Sequence, residues 1–371
     1  MRRREFLLVA GAPLATALAP GCASRSRPLV VSPRRRFVPV KVSPDREIRT
    51  VVGLRPYRPS GFVVRADRIG DKVIVHNYGH GGGGMTMSWG TAHLAVELAA
   101  QSGERAYGVL GCGGVGLASA RLLQRRGFDV TIYARDLPPN TTSNIAGAQW
   151  SPAFLYEPER ATPAFNEQFV RAARLSHREY QNLVGDYYGV RWIENYVVSR
   201  EPFRDDPAAG DQPIADLFPQ RHEVPSRDHP FGSDVHVRVF TTMLIEPPVY
   251  LNAVLRDFLI AGGRLVVGEL PDARAVAALP QRAVINCTGL GAKMLFGDEE
   301  LTPIKGQLTI LLPQPEVDYI VLADDDLYMF PRRDGILLGG THEHGVWTLD
   351  PNQEAKARLM NGHAKLFARM R

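Results

Sequence analysis

The 371-residue sequence predicts an α/β fold, and three observations carry that reading. First, a G-x-G-x-x-G turn (Gly111, Gly113, Gly116) directly follows the apolar run 107–110. A helix-like stretch and a second apolar run, "FDVTIYA", come next, giving the strand–turn–helix–strand order of a dinucleotide-binding βαβ unit. Second, "RAVINCTGLG" (282–291) reads as another buried strand ending in a glycine turn. Third, apolar residues recur at helical spacing in 89–100, 165–183, 248–261 and 351–370, between segments that alternate as strands do.

In chain order, residues 24–45 mix Pro, Ser and Arg and read as an extended linker or arm. Residues 46–78 alternate apolar and polar side chains and predict strands. The stretch "HNYGHGGGGMTMSWG" (76–90) then leads into the helix predicted from Trp89. Five residues, "QSGER", connect that helix to the βαβ unit. Pro-rich polar loops occupy about 200–235, and "GQLTILL", "DLYMFPR" and "GILLGGT" predict three more strands before the last helix.

The formal charge is +5, but residues 1–45 hold nine Lys or Arg against two acidic residues. That surplus of seven exceeds the whole chain's excess, so the body from residue 46 onward is net acidic and is not a nucleic-acid-seeking surface. The basic start has another reading. "MRRREFLLVAGAPLATALAPGCAS" sets Arg3-Arg4 before an apolar run too short for a comfortable membrane helix, and it predicts a twin-arginine export signal handled by that export machinery. Cleavage after Ala19 or Ala23 and lipidation of Cys22 are both open. The expected location is periplasmic, or the outer face of a bacterial envelope. Beyond the signal only Cys112 and Cys287 remain, and their apolar contexts predict buried thiols without a disulfide framework.

In the βαβ unit Gly111 permits the tight turn, Gly113 lets a pyrophosphate approach the backbone, and Gly116 lets the helix pack on the strand. Asp136, twenty positions after Gly116, is the candidate ribose ligand, although Arg135 holds the usual strand-end place.

Four segments together resemble the D-amino-acid oxidase family, over about residues 46–371. "YARDLPPNTTSNIAGAQWSP" (133–152) is similar to the segment after that family's first βαβ unit, in its fungal members especially. "VINCTGLGAK" (284–293) is similar to its second flavin-contacting turn, "VVGLRPYRP" (51–59) to its arginine strand, and "VIVHNYGHGGGGMTMSWG" (73–90) to its closing signature. In the family the arginine strand and this signature come last. Here they come first, so the chain resembles a circular permutant in which residues 101–105 close the old gap and new ends fall between the last helix and the first strand.

The resemblance implies an FAD-binding Rossmann-like half of the glutathione-reductase type, interleaved with a mixed-sheet substrate half. FAD-binding parts fall at about 72–160 and 248–300, and substrate-binding parts at about 46–71, 185–247 and 301–371. It assigns FAD contacts to Gly111, Gly113, Val115, Gly116, Arg135, Asp136, Thr141, Thr142, Ser143, Gly147, Ala148, Gln149 and Gly289, and to Gly81, Gly82, Gly84, Met85 and Thr86 of the glycine loop. That loop must bring bare backbone within hydrogen-bond reach of the flavin. Gly83 replaces a tyrosine common in mammalian members, and Gly147-Ala148-Gln149 stand where the family reads Ala-Gly-Leu.

In the same way Arg55 is implied as the grip on the substrate carboxylate, Tyr328 as its hydroxyl partner and His342 as the side-chain selector. The implied reaction is oxidative deamination of a D-amino acid by hydride transfer to flavin N5, with dioxygen as the onward acceptor. Glycine or sarcosine oxidation remains open, as does acidic D-amino acid oxidation with His342, Arg332 or Arg333 supplying positive charge. So does a flavin-binding envelope protein without catalysis; a nicotinamide dehydrogenase matches the glycine motif alone. "THEHG" does not by itself make a metal site, and no metal is expected. No counterpart of the family's active-site lid is evident.

Overall fold

The computed structural model describes residues 37–203 and 213–370. The export-type segment, with Cys22, lies outside the described residues. The chain runs through β1 (Glu47–Tyr57), β2 (Val63–Ile69), β3 (Lys72–Tyr78), α1 (Gly84–Ala100), β4 (Ala106–Leu110), α2 (Gly114–Arg125) and β5 (Asp129–Ala134). It continues with α3 (Pro163–Asn182), β6 (Val190–Ser199), β7 (His222–Val224), β8 (His236–Ile245), α4 (Pro247–Ile260), β9 (Arg264–Val267), α5 (Ala273–Ala277), β10 (Ala283–Asn286) and α6 (Gly291–Phe296). Then come β11 (Thr302–Leu311), β12 (Tyr319–Ala323), β13 (Leu327–Arg332), β14 (Gly335–Gly339), β15 (Glu343–His344) and α7 (Gln353–Ala368).

Among the described residues these strands build two sheets. A six-stranded sheet has the order β2-β3-β10-β4-β5-β9, and a nine-stranded one the order β1-β11-β14-β13-β12-β6-β8-β7, with β15 beside β11. In the smaller sheet β3, β10, β4, β5 and β9 all run parallel, and only the edge strand β2 is antiparallel. Parallel strands need both faces covered, so their sequences are near-continuous apolar runs. This is why Tyr107, Val109, Leu110, Val284 and Ile285 are completely buried. Residues 63–69, which fall within the expected substrate-binding part 46–71, pair with β3 of the smaller sheet, so the strand boundary between the two sheets falls after Tyr57.

Helix starts follow local chemistry. Thr162 caps α3 by accepting from the Phe165 amide, with Pro163 at the first helical position, and Asn352 caps α7 by accepting from the Ala355 amide. Helix α1 begins at Gly84, five residues before Trp89 where spacing predicts it, because the glycine cluster supplies its first turn. Its burial runs from Met85 through Leu94 with little interruption, so there was no polar face to mark the start. Gly90 is where α1 meets α3: a Cβ there would stand 1.8 Å from the Ala172 carbonyl oxygen.

Phe37 and Val40 pack with Tyr319, Phe367 and Met370, so residues 37–40 and 367–370 share one apolar cluster. No described helix is long and apolar enough to cross a membrane.

Candidate active site

At the nucleotide end, β4 leads into Gly111 (φ 99°), where a Cβ would lie 2.6 Å from the Cys287 carbonyl oxygen. Gly116 is tighter still, with a Cβ position 2.1 Å from the Gly111 oxygen, so the helix rests on the strand turn. The first intrahelical bond runs from the Leu117 amide to the Gly113 carbonyl, which leaves the Val115 and Gly116 amides without intrahelical carbonyls. The Gly114 amide donates to the Ser143 hydroxyl at 3.0 Å. The neighbouring Asn144 is buried, its Oδ1 accepts from Thr141, and its Nδ2 has no partner among the described residues. A helix end with outward amides and an orphaned amide donor beside it matches the chemistry of a pyrophosphate. These residues fit the diphosphate of a dinucleotide. Asp136 accepts from Arg135 at 2.9 Å at the exposed end of β5, so the acidic ribose candidate is internally paired. Thr142 opens the short turn that carries Ser143.

The glycine loop lies beside this site. Gly81 (φ 49°) has its missing Cβ 2.3 Å from the Phe154 oxygen, and the Gly82 amide donates to that same oxygen. Gly83 abuts Leu155 at 2.6 Å, and the Met85 sulfur packs against Gly114. Thr86, expected to face the cofactor, is buried and donates to the Gln149 and Ser151 carbonyls, so its hydroxyl braces residues 149–151. Gln149 donates its amide to Asn195. The left-handed backbone falls on Ala148 (φ 60°), not on Gly147. The bare Cα of Gly147 instead makes room for the Phe330 ring, 2.4 Å from its Cβ position. Gly289 (φ 58°) turns the chain against Pro56, next to Arg55.

Strands β1, β11, β13 and β14 bring the carboxylate candidates together. Arg55 Nη1 donates to the Thr341 carbonyl at 3.1 Å, and Nη2 donates to the Tyr328 hydroxyl at 3.4 Å. The guanidinium lies over Gly306, whose missing Cβ would be 2.5 Å from it, and the Tyr328 ring lies over Gly339 at 2.0 Å. Two strand glycines thus form the floor of the clamp. Sequence reasoning passed over both, although a glycine inside a strand signals close approach of another group. Because Tyr328 accepts from Arg55, its own proton is free for a second acceptor. The Tyr328 and Phe330 rings are 5.1 Å apart, so the clamp connects to Gly147 through Phe330.

Beside the clamp, Tyr57, Phe154, Tyr156, Ile304, Asp326, His342 and His344 enclose a cavity of about 200 Å³. His342 lies 4.4 Å from the Phe154 ring and 3.9 Å from the Asp326 carboxylate. Burial, reinforced by the Arg55 charge, lowers its pKa to about 4, so the imidazole is neutral at physiological pH. Arg332 is engaged by Asp334 and the Ala146 carbonyl. Arg333 pairs with Asp186 and Glu246, so neither guanidinium supplies positive charge to this cavity. Phe154, Tyr156 and Asp326 carried no sequence signal, because they reach the cavity from distant segments. Cys112 and Cys287 are free thiols whose pKa values burial raises to about 12, which removes them as nucleophiles.

Five further histidines, His177 and His229 among them, have pKa values lowered by burial. Burial lowers His76 and His363 to about 4 and His80 to about 3. As pH falls below the ordinary value of 6.5, the unfolded chain takes up protons that the folded chain refuses until its own, lower values. Stability present above that value is therefore lost on acidification. With about 1 kcal/mol lost per histidine over the first pH unit, a drop in Tm of about 5–10 °C between pH 7 and 5.5 is expected in a thermal-shift series. A flat Tm down to pH 4.5 would contradict burial of these imidazoles.

Comparison with known proteins follows the same residues. The model of the family described as DAO, FAD dependent oxidoreductase, matches residues 20–98 and 107–370. A D-amino-acid oxidase of Rubrobacter xylanophilus is 29% identical over 268 residues, covering 71% of this chain and 77% of that protein. The Homo sapiens D-aspartate oxidase is 26% identical, with 68% and 73% covered. Among solved structures, a glycine oxidase from Bacillus cereus superposes with a TM-score of 0.53 at 14% identity, covering 70% of this chain and 77% of its own, a likeness of fold.

Proposed function

We propose that this chain, a member of the DAO family of FAD dependent oxidoreductases, oxidises D-amino acids to keto acids, with ammonia and hydrogen peroxide as the other products. The observation that carries this reading is the clamp: Arg55 and Tyr328, held against each other over Gly306 and Gly339, present a guanidinium fork and a free hydroxyl proton to one carboxylate. Bound FAD supplies the two-electron acceptor. The chain's own work is orientation. Arg55 and Tyr328 fix the carboxylate, the cavity at His342 receives the side chain, and Phe330 walls the approach to Gly147. No general base is required of the protein, and His342, its pKa lowered to about 4, is a weak proton acceptor. Gly113, Val115, Gly116, Ser143 and Asn144 would hold the diphosphate, and the backbone of residues 81–85 and 147–149 would hold the flavin.

The test is an anaerobic visible spectrum of FAD-loaded protein titrated with D- and L-amino acids, glycine, sarcosine and D-aspartate. Bleaching by D-amino acids and not their L-forms is the expected result. Bleaching by glycine and sarcosine alone, or by D-aspartate alone, would move the activity to those substrates. No bleaching by any amine would leave a cofactor-binding protein without oxidase activity.

The same reading takes the chain as circularly permuted and exported. The permutation is supported by the family match in two blocks, whose gap at 99–106 covers the turn between α1 and β4, and by the shared cluster of residues 37–40 and 367–370. Linking residue 370 to residue 37 and opening the chain within 101–105 is expected to give a folded protein that still binds FAD; a chain that only aggregates counts against it. Export by the twin-arginine route, with or without a lipid on Cys22, is tested by fractionating cells that express the chain and its Arg3→Lys/Arg4→Lys variant. Retention of that variant in the cytoplasm is expected, and unchanged fractionation would refute it.

A further inference from the structure

The side-chain cavity carries a charge pattern that composition does not. Its walls are the rings of Tyr57, Phe154 and Tyr156, and among the described residues its only formally charged lining group is the Asp326 carboxylate. The two acids preceding Asp326 are both paired with Arg200. Asp326 has instead, among the described residues, only the imidazole of His342 at 3.9 Å. The cations nearby are engaged elsewhere. Arg55 donates to Thr341 and Tyr328 and faces the substrate carboxylate, Lys305 lies 3.8 Å from Glu343, and Arg358 donates to the Asp325 and Gly340 carbonyls. Arg332 and Arg333 are held by Asp334, Asp186 and Glu246. Phe154 sits in a left-handed conformation (φ 55°) and is 56% exposed as a residue, so an aromatic side chain stands at the cavity mouth beside an uncommitted carboxylate. Aromatic faces and a lone carboxylate attract the same kind of group, an organic cation.

We infer that this pocket selects D-amino acids with a cationic side chain, such as D-lysine and D-arginine, whose charged end lies among Tyr57, Phe154 and Tyr156 and pairs with Asp326. The inference rests on the oxidase reading for its substrate's D-amino acid core. The charges then balance: the substrate carboxylate meets Arg55 and the side-chain cation meets Asp326. A side-chain carboxylate would find no cation left for it.

The experiment compares D-lysine, its neutral analogue D-norleucine and D-glutamate on the FAD-loaded protein, by kcat/KM and by anaerobic calorimetric affinity. D-Lysine is expected to exceed D-norleucine by about tenfold or more, with D-glutamate weakest. Asp326→Asn is expected to lower the D-lysine to D-norleucine ratio by about twofold to fivefold. Asp326 is largely exposed, so this change leaves the core intact. Equal values for D-lysine and D-norleucine, a preference for D-glutamate, or a ratio untouched by Asp326→Asn overturns the inference. If none of the three is oxidised, the flavin titration with the other amines decides the oxidase reading, and the calorimetric order still decides the pocket; absence of D-lysine binding overturns the inference as well.

Discussion

Replacing Arg55 by alanine is expected to raise KM for a D-amino acid by about 10²–10³-fold while the protein still purifies with FAD. The guanidinium can meet a carboxylate in fork fashion at this point: Nη1 is held by the Thr341 carbonyl and Nη2 by the Tyr328 hydroxyl. Losing a charge-assisted pair of hydrogen bonds in a half-buried site costs about 3–4 kcal/mol, which is about 10²–10³-fold in affinity. Lysine should not restore it, because a point charge on a flexible stem neither forks nor lies flat over Gly306, where only 2.5 Å separates the guanidinium from a Cβ position. FAD retention is expected because Arg55 touches neither the α2 N-terminus nor the turn at Ser143. Steady-state kinetics with the flavin spectrum recorded on the same sample separates the two effects. An unchanged KM would remove Arg55 from the substrate site.

Gly116→Val is expected to yield protein without bound flavin, with FAD affinity lowered by about 100-fold or more. The Cβ position at Gly116 is 2.1 Å from the Gly111 carbonyl oxygen, and that neighbour is backbone, which cannot swing aside as a side-chain end can. Helix α2 must therefore lift from β4, which displaces the Val115 and Gly116 amides from the place where the diphosphate would meet them. The Gly111 carbonyl and the Cys287 backbone behind it move too, since Gly111 is itself packed at 2.6 Å against Cys287. Overpacking of this kind costs about 1–3 kcal/mol, so the fold should survive with a lower Tm while the cofactor is lost. Absorbance at the flavin band in the purified variant, with the far-UV spectrum as the check on folding, measures both. A variant that folds with full flavin content would show that Gly116 does not set the helix–strand approach.

The nucleotide-binding half was legible in the sequence because its signals are local. Three glycines, an apolar strand before them and a helical period after them occur within one short run, and backbone sterics alone decide what that run can do. The boundaries of α3, α4 and α7 fell within a few residues of their periodic patterns for the same reason, since capping at Thr162 and Asn352 and prolines at Pro163 and Pro247 act on the adjacent turn. Helix α1 was harder. A helix buried on nearly all sides has no amphipathic period, and glycine in its first turn conceals its start.

The substrate side divides differently. Sequence alone determined that the chain carries an arginine strand, a tyrosine strand and a glycine loop, and motif resemblance attached the roles. Only the tertiary structure decided that Arg55 and Tyr328 share a hydrogen bond although 273 positions separate them, and that Gly306 and Gly339 clear the floor beneath them. It also turned the Thr86 hydroxyl toward the Gln149 and Ser151 carbonyls and committed Arg332 and Arg333 to carboxylates elsewhere. It left Asp326 facing a neutral imidazole among aromatic rings. The physical reason is range. Turns and periods are fixed by neighbours a few residues away, whereas charge pairing and room for a ring depend on which strands the sheet sets side by side.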